Sequence, residues 1–296
     1  MRMALSDNMR GAGLMMVAMA AFTFNDTVMK TLSGEVPLFQ AIFLRGALTT
    51  LLLFALGRAM GGLRFRLARR DWGAIALRTF CEGAATFLFL TALFHAPIAN
   101  VTAILQSLPL TVALGAALFL GEPLGWRRIV AILVGFAGVL LIVRPGGDGF
   151  TIWSLYALAA VGFVTIRDLA VRRMSVHVPS LTVALVGAAS ITLAAGAVAL
   201  VQGWQPVTPR QGGTMALAAL FIMAGYLSSV MTMRQGEIGF VAPFRYTGIL
   251  WALILGWLVF GDWPDTLTLI GAAIVVAMGL FTLWRERKSR AARTPG

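Results

Sequence analysis

A small set of ionisable side chains interrupts stretches that are otherwise apolar, and their spacing sets the chemistry open to them. Asp26 and Lys30 stand four residues apart, as do Arg78 and Glu82, and again Asp168 and Arg172. On a helix that spacing puts acid and base on one face, a turn apart. Arg245 has no acid three or four positions away on either side, so its partner must come from another element or from a bound anion; Asp26, Glu82 and Asp168 are the candidates within the chain. An ionisable group near the centre of a bilayer costs roughly 2.5–3.5 kcal/mol on insertion scales, so each must be paired, face a wet cavity or reach the surface.

Two readings are open for each pair. Asp26 with Lys30 is either self-neutralised near a helix end, with Lys30 and Arg172 reaching opposite surfaces, or places Asn25 and Asp26 on a cavity wall. Arg78 with Glu82 is either a helix-stabilising ion pair or a site where Glu82 gains and loses a proton, since burial favours the neutral carboxyl. Gly83 beside it would let a neighbouring helix come close. Gln106 carries an amide that needs a partner, whereas Arg45 is expected to be structural, bridging to a carbonyl or to an acid on a neighbouring helix. Tyr246 and Trp251, with Phe22, Phe24 and Phe87, offer flat apolar faces that can stack on a ring or simply pack in a core. Asn25, Asp26, Arg78, Glu82, Gln106, Arg245 and Tyr246 are therefore the expected substrate-binding side chains. His95 is expected at the interface.

The elements that position these groups follow from composition. Of 296 residues 59% are hydrophobic and 12% charged, against about 25% charged in a soluble domain. Windows of roughly 20 apolar residues, enough to span a bilayer, can be laid at Gly11–Thr31, Pro37–Leu56, Trp72–Leu93, Pro97–Leu120, Ile129–Val143, Ile152–Val171, Ser180–Val201, Met215–Thr232, Val241–Phe260 and Leu267–Trp284. Hydrocarbon offers the backbone no hydrogen-bond partners, and no alternating strands of barrel type are evident, so the fold class is all-α with ten transmembrane helices. Arg2 and Arg10 ahead of the first apolar stretch resemble a signal sequence, but the stretch runs on through Phe22 and Phe24 and reads as an uncleaved span. Cys81, the single cysteine, permits no intramolecular disulfide.

The net charge of +12 invites a nucleic-acid reading that its distribution answers. With the N-terminus inside, 17 of the 24 Lys and Arg fall in inner segments and three, Lys30, Arg144 and Arg210, in outer loops. That bias places both termini in the cytoplasm. The basic tail at residues 285–296 suits acidic lipid headgroups rather than nucleic acid.

The sequence also repeats. Asp26, Lys30 and Pro37 recur as Asp168, Arg172 and Pro179 at an offset of 142; Ile98, Gly121 and Glu122 recur as Ile238, Gly261 and Asp262 at 140; Gly138 recurs as Gly279 at 141. Each half holds five spans, an odd number, so the second half must enter the membrane from the opposite side. Inverted repeats of this kind enclose a midplane site that opens alternately to either face.

The run Asn100 to Pro109, then Leu120-Gly121-Glu122-Pro123 and Gly135-Phe136-Ala137-Gly138-Val139, resembles the end of an EamA domain of the drug/metabolite transporter superfamily, with Leu258 to Pro264 as its partner. Phe43-Leu44-Arg45-Gly46 is similar to the arginine-bearing second span of such domains. The chain departs from the pattern at Asp262, where a glutamate is usual, and at Ile249, where Pro109 has no counterpart and Pro243 sits earlier in its span. The resemblance implies two EamA units at 11–144 and 150–284, and a secondary transporter that uses no ATP. Its cavity would be lined by the first, third, fourth, sixth, eighth and ninth spans. Ala242 to Thr247 resembles bacterial members whose proposed cargoes include riboflavin and S-adenosylmethionine. Uptake of a vitamin-like ring compound such as riboflavin is the expectation, with export of amino acids or related metabolites as the alternative.

An intramembrane enzyme would need a zinc-binding His-Glu-x-x-His run, paired aspartates in a glycine context or a Gly-x-Ser-x-Gly elbow, and none occurs. The two histidines, His95 and His177, stand in opposite halves of the chain and make a poor metal site. An ATP-driven pump would need a phosphate-binding loop, also missing. The expected partners are a small-molecule substrate and the inner-membrane lipid bilayer, with a homodimer left open, no nucleic acid, no metal and no cofactor.

Overall fold

The computed structural model describes residues 2–121, 125–145, 150–171, 174–175, 178–232 and 238–291. Among these the chain forms helices α1 (Arg2–Lys30), α2 (Leu38–Ala59), α3 (Arg69–His95), α4 (Ile98–Leu105), α5 (Leu108–Leu120), α6 (Trp126–Val143), α7 (Ile152–Val171), α8 (Ser180–Gln202), α9 (Pro209–Thr232), α10 (Ile238–Val241), α11 (Thr247–Phe260) and α12 (Thr266–Ala291), with a 3-10 turn at Ala242–Tyr246 between α10 and α11. Among the described residues ten stretches are long and apolar enough to cross a membrane. Several run past the expected windows: α3 begins at Arg69 rather than Trp72, α9 at Pro209 rather than Met215, and α12 continues to Ala291. Hydropathy marks the depth of the hydrocarbon, while the helical backbone goes on bonding to itself in the headgroup layer.

Local sequence explains the ends. Pro37, Pro97 and Pro179 stand just before α2, α4 and α8 with ψ of 136, 134 and 129°, extended residues from which a new helix starts. Gly121 and Gly261 end α5 and α11 with φ of 68 and 69°, the left-handed cap that a residue with a Cβ rarely adopts.

The fourth and ninth spans are both broken. The fourth turns at Gln106 and Ser107 between α4 and α5, and the ninth passes through the 3-10 turn that ends at Tyr246. Gln106 and Tyr246 are matched by the same offset as the glycine caps Gly121 and Gly261, so the breaks are repeat-related. Pro109 sits early in α5, just after the break, and Pro243 early in the 3-10 turn itself, and each withholds an N–H there.

Packing follows the two-fold relation. The first span lies along the eighth and the third along the sixth, which is one contact seen twice, while the second packs on the seventh and the fifth on the tenth, its own repeat mate. In the last pair the backbones touch, because a Cβ on Gly271 would lie 2.5 Å from the Gly138 carbonyl oxygen.

Two fully buried side chains, Gln40 and its repeat mate Thr182, tie each half to a loop of the other. Gln40 donates to the Gln205 carbonyl at 2.7 Å and accepts from the Gln205 N–H at 3.0 Å. Thr182 accepts from the Arg64 N–H at 3.0 Å.

Candidate functional site

The buried charges lie on two walls of a cavity of about 140 Å³ between the second, third, seventh and eighth spans. Arg45 and Thr49 line it from α2, Arg78, Glu82 and Thr86 from α3, Thr192 from α8 and Tyr226 from α9. Close helix contact opens this space. A Cβ on Gly46 would collide with Thr192, so α2 and α8 pack backbone to side chain, and a Cβ on Gly187 would sit 3.1 Å from Glu82 Oε2 and 3.3 Å from Arg78 Nη1. Gly187 thus leaves the room that the Arg78–Glu82 pair fills.

On the α3 wall Arg78 donates to Glu82 at 2.5 Å, and Arg167 of α7 approaches the other carboxylate oxygen at 3.9 Å. Arg167 in turn pairs with its neighbour Asp168 at 2.8 Å. The result is a chain of alternating charge, Arg78, Glu82, Arg167 and Asp168, that joins the third span to the sixth. On the α2 wall Arg45, 8% exposed, donates through Nη1 to Asn25 Oδ1 at 3.2 Å. Asn25 donates to Asp26 at 2.9 Å and so stands between the cation and the acid.

These placements correct several expectations. Lys30 does not pair with Asp26: it donates to the Ala96 carbonyl and lies 5.2 Å over the Phe260 ring. A carbonyl left free at the bend after α3 and an aromatic face outcompete an acid one turn back, because lysine's long stem reaches the helix end. The suggested partner of Asp168, Arg172, lies outside the described residues, as do Glu122, Arg173 and Arg234. Arg245 is exposed in the 3-10 turn with no acid within ion-pair distance among the described residues.

Tyr246 is 5% exposed and its ring abuts Gly279 of the tenth span, so it packs away from the cavity. Gln106 also lies apart, its Nε2 facing Gly248 of the ninth span. The structure therefore brings Arg78 and Glu82 to the cavity and Asn25 and Asp26 behind it, and leaves Gln106, Arg245 and Tyr246 elsewhere. The expected lining is also revised: the second and seventh spans line the charged cavity where the first, fourth, sixth and ninth were expected. The first and sixth act only through Asn25 and Arg167, which touch Arg45 and Glu82 from behind. His95 is stacked on Trp153 at 4.0 Å at the exposed end of α3.

Sequence reasoning missed Arg167, Gly187, Thr192 and Tyr226. Arg167 bonds its sequence neighbour and reaches across to α3, so the four-residue spacing that marks a pair on one helix gives no sign of it. Gly187 is matched to Arg45 by the offset that relates Asp168 to Asp26, so the repeat was the signal that could have found it.

An apolar cavity of about 360 Å³ adjoins the charged one and shares Ile42, Thr86 and Ile191 with it. Phe39, Phe80 and Phe87 line it, the first and last with rings stacked at 5.2 Å. Among the described residues no cluster of His, Cys, Asp or Glu could hold a metal.

The two five-span halves have counterparts among known proteins. The pattern of the EamA-like transporter family fits residues 9–144 and again 151–284. The chain belongs to the EamA-like transporter family. It is similar to the pseudopaline exporter CntI of Pseudomonas aeruginosa, 26% identical over 94% of this chain and 97% of that one. It is 32% identical to a riboflavin transporter of Vibrio cholerae over 78% of each. It is also 26% identical to an S-adenosylmethionine uptake transporter of Rickettsia bellii over 94% of this chain and 95% of that one. A crystal structure 21% identical in sequence shares the fold, with a TM-score of 0.64 over 93% of this chain and 98% of the other. This EamA-like chain is a multi-pass membrane transporter of small metabolites.

Proposed function

We propose that this EamA-like transporter takes up a ring-shaped, vitamin-like metabolite, with riboflavin as the reference compound, across a bacterial inner membrane by alternating access. The observation that carries the reading is the pairing of two adjoining cavities. A charged one of about 140 Å³ can hold polar groups, and an aromatic-walled one of about 360 Å³ can take a planar ring. The relative named for riboflavin has the higher identity among those named above, at 32%.

Proteoliposomes loaded with unlabelled riboflavin should accumulate labelled riboflavin by saturable counterflow. If labelled riboflavin equilibrates no faster than in empty vesicles, this cargo is wrong. Export of an amino-acid-derived metabolite is the second reading, supported by the 26% identity to the pseudopaline exporter over 94% of the chain. Efflux from preloaded vesicles separates the two.

Glu82 is the proposed coupling residue, an acid on the cavity wall held between two cations. Glu82→Gln is expected to abolish accumulation driven by a pH gradient, and unchanged pH dependence in that variant would remove Glu82 from the mechanism. The arginine and lysine bias supports a cytoplasmic position for both termini. Single cysteines engineered at the two ends should both label from the cytoplasmic side, against a background in which the native Cys81 is buried.

A further inference from the structure

The cavity walls hold two arginines against one acid, and that acid is already engaged. Glu82 has both carboxylate oxygens engaged, Oε2 by Arg78 and Oε1 by Arg167. The hydroxyls of Thr49, Thr192 and Tyr226 all donate to backbone carbonyls, of Arg45, Ala188 and Ser180. The guanidiniums are in the opposite condition. Arg78 commits Nη1 to Glu82, and Arg45 commits Nη1 to a neutral amide oxygen, each with five N–H donors in its fork.

Arg45 is the sharper case. It is 8% exposed, lines the cavity, and has no acid within ion-pair distance among the described residues, because Asn25 stands between it and Asp26. A buried guanidinium without a contacting anion is costly unless something supplies the acceptors. The protein's share of the cavity hydrogen bonding is thus weighted toward donors on both the second and third spans.

Resting on the transport reading above, we infer that Arg45 and Arg78 form a clamp for an acceptor-only group of the substrate, a carboxylate or a ring carbonyl, while the apolar body lies against the phenylalanines of the adjoining cavity. Planar forks bind such groups through two parallel N–H donors, which a lysine ammonium does not reproduce. Arg45, expected from sequence to be structural, then contacts the cargo directly. Asp26 acts through Asn25 as a positioning residue that holds the Arg45 fork toward the cavity. When the cargo leaves, Asn25 and Glu82 are the acceptors that remain.

The test uses the full chain in lipid nanodiscs and four probes: indole-3-acetate, indole-3-acetamide and tryptamine, which differ only at the side-chain terminus, and lumichrome, which carries ring carbonyls and no carboxylate. Thermal-shift titrations should show indole-3-acetate or lumichrome binding at least about tenfold more tightly than tryptamine, about 1.4 kcal/mol. The acetamide should fall between. Which acceptor probe prevails tells whether the clamp takes a carboxylate or ring carbonyls. Arg45→Lys and Arg78→Lys, which keep the charge and lose the fork, should each reduce that preference several-fold.

Tryptamine binding as tightly as the acceptor probes overturns the clamp, as does an acceptor preference that neither substitution reduces, or no stabilisation by either acceptor probe up to its solubility limit. Should one arginine variant fail to fold, the probe series on the unaltered protein and the other variant still decide. Absence of riboflavin counterflow with the acceptor preference intact removes the flavin cargo and leaves the clamp standing.

Discussion

Asp26 and Asp168 occupy equivalent positions in the two repeats, yet they are balanced differently. In the first repeat Asn25 precedes the acid, and the cation is Arg45 of the second span, reached through the amide. In the second repeat Arg167 stands where Asn25 does and bonds Asp168 directly, while Gly187 stands where Arg45 does. The space that Gly187 leaves is filled from the opposite repeat by Arg78 and Glu82. The scaffold is thus symmetric in backbone and asymmetric in charge. A two-fold frame suffices to exchange inward-open and outward-open states, but cargo bound once between the halves meets a different side chain on each wall, so selection need not keep the walls alike.

The largest effect should come from closing the space that makes the repeats differ. Gly187→Leu puts branched carbon where the Arg78–Glu82 pair lies, and overpacking of that kind costs about 1–3 kcal/mol. Transport should fall to background while the protein still elutes as a single species. Transport near normal in this variant would mean that the charge asymmetry is incidental. The cross-repeat ties extend the comparison. Gln40→Leu removes both bonds to the Gln205 backbone, and a hydrogen bond of this kind contributes about 0.5–1.5 kcal/mol net. Thr182→Val removes only the bond from the Arg64 N–H, so its loss of thermal stability should be about half as large. Equal losses would show that the ties do not act through these bonds.

The smallest effect concerns Asp265, just ahead of the tenth span. Burial pushes its carboxyl up, but the Thr268 N–H, Arg144 and the Thr268 hydroxyl outweigh that and hold it below the usual aspartate range. A depressed pKa contributes stability that is fully present above the unfolded value, near 3.9, and disappears as pH falls through the folded one. The carboxylate is half exposed, so the contribution is small. Asp265→Asn should leave unfolding at neutral pH slightly easier and flatten its dependence on pH in the acid range.

Much of the site was half legible. The Arg78–Glu82 pair could be read because both partners sit on one helix, where a spacing of four fixes their neighbourhood. Asp26 and Lys30 have the same spacing and part company, since a carbonyl and a ring from two other spans compete for the lysine. Tyr246 shows the limit from the other side. Its flat aromatic face suggested a cavity wall, but the 3-10 turn rotates it onto Gly279 and leaves Arg245 exposed.

The sequence by itself determined the ten spans and their inversion, because hydrocarbon demands long self-bonded helices and an odd number of them in each half reverses the second half. Only the tertiary structure decided which way each span turns about its own axis. A helix that is apolar all round carries no periodic signal for its buried face, so the meeting of Glu82 with Arg167, and of Arg45 with Asn25, was fixed by glycine contacts and interlocking side chains between spans far apart in the chain.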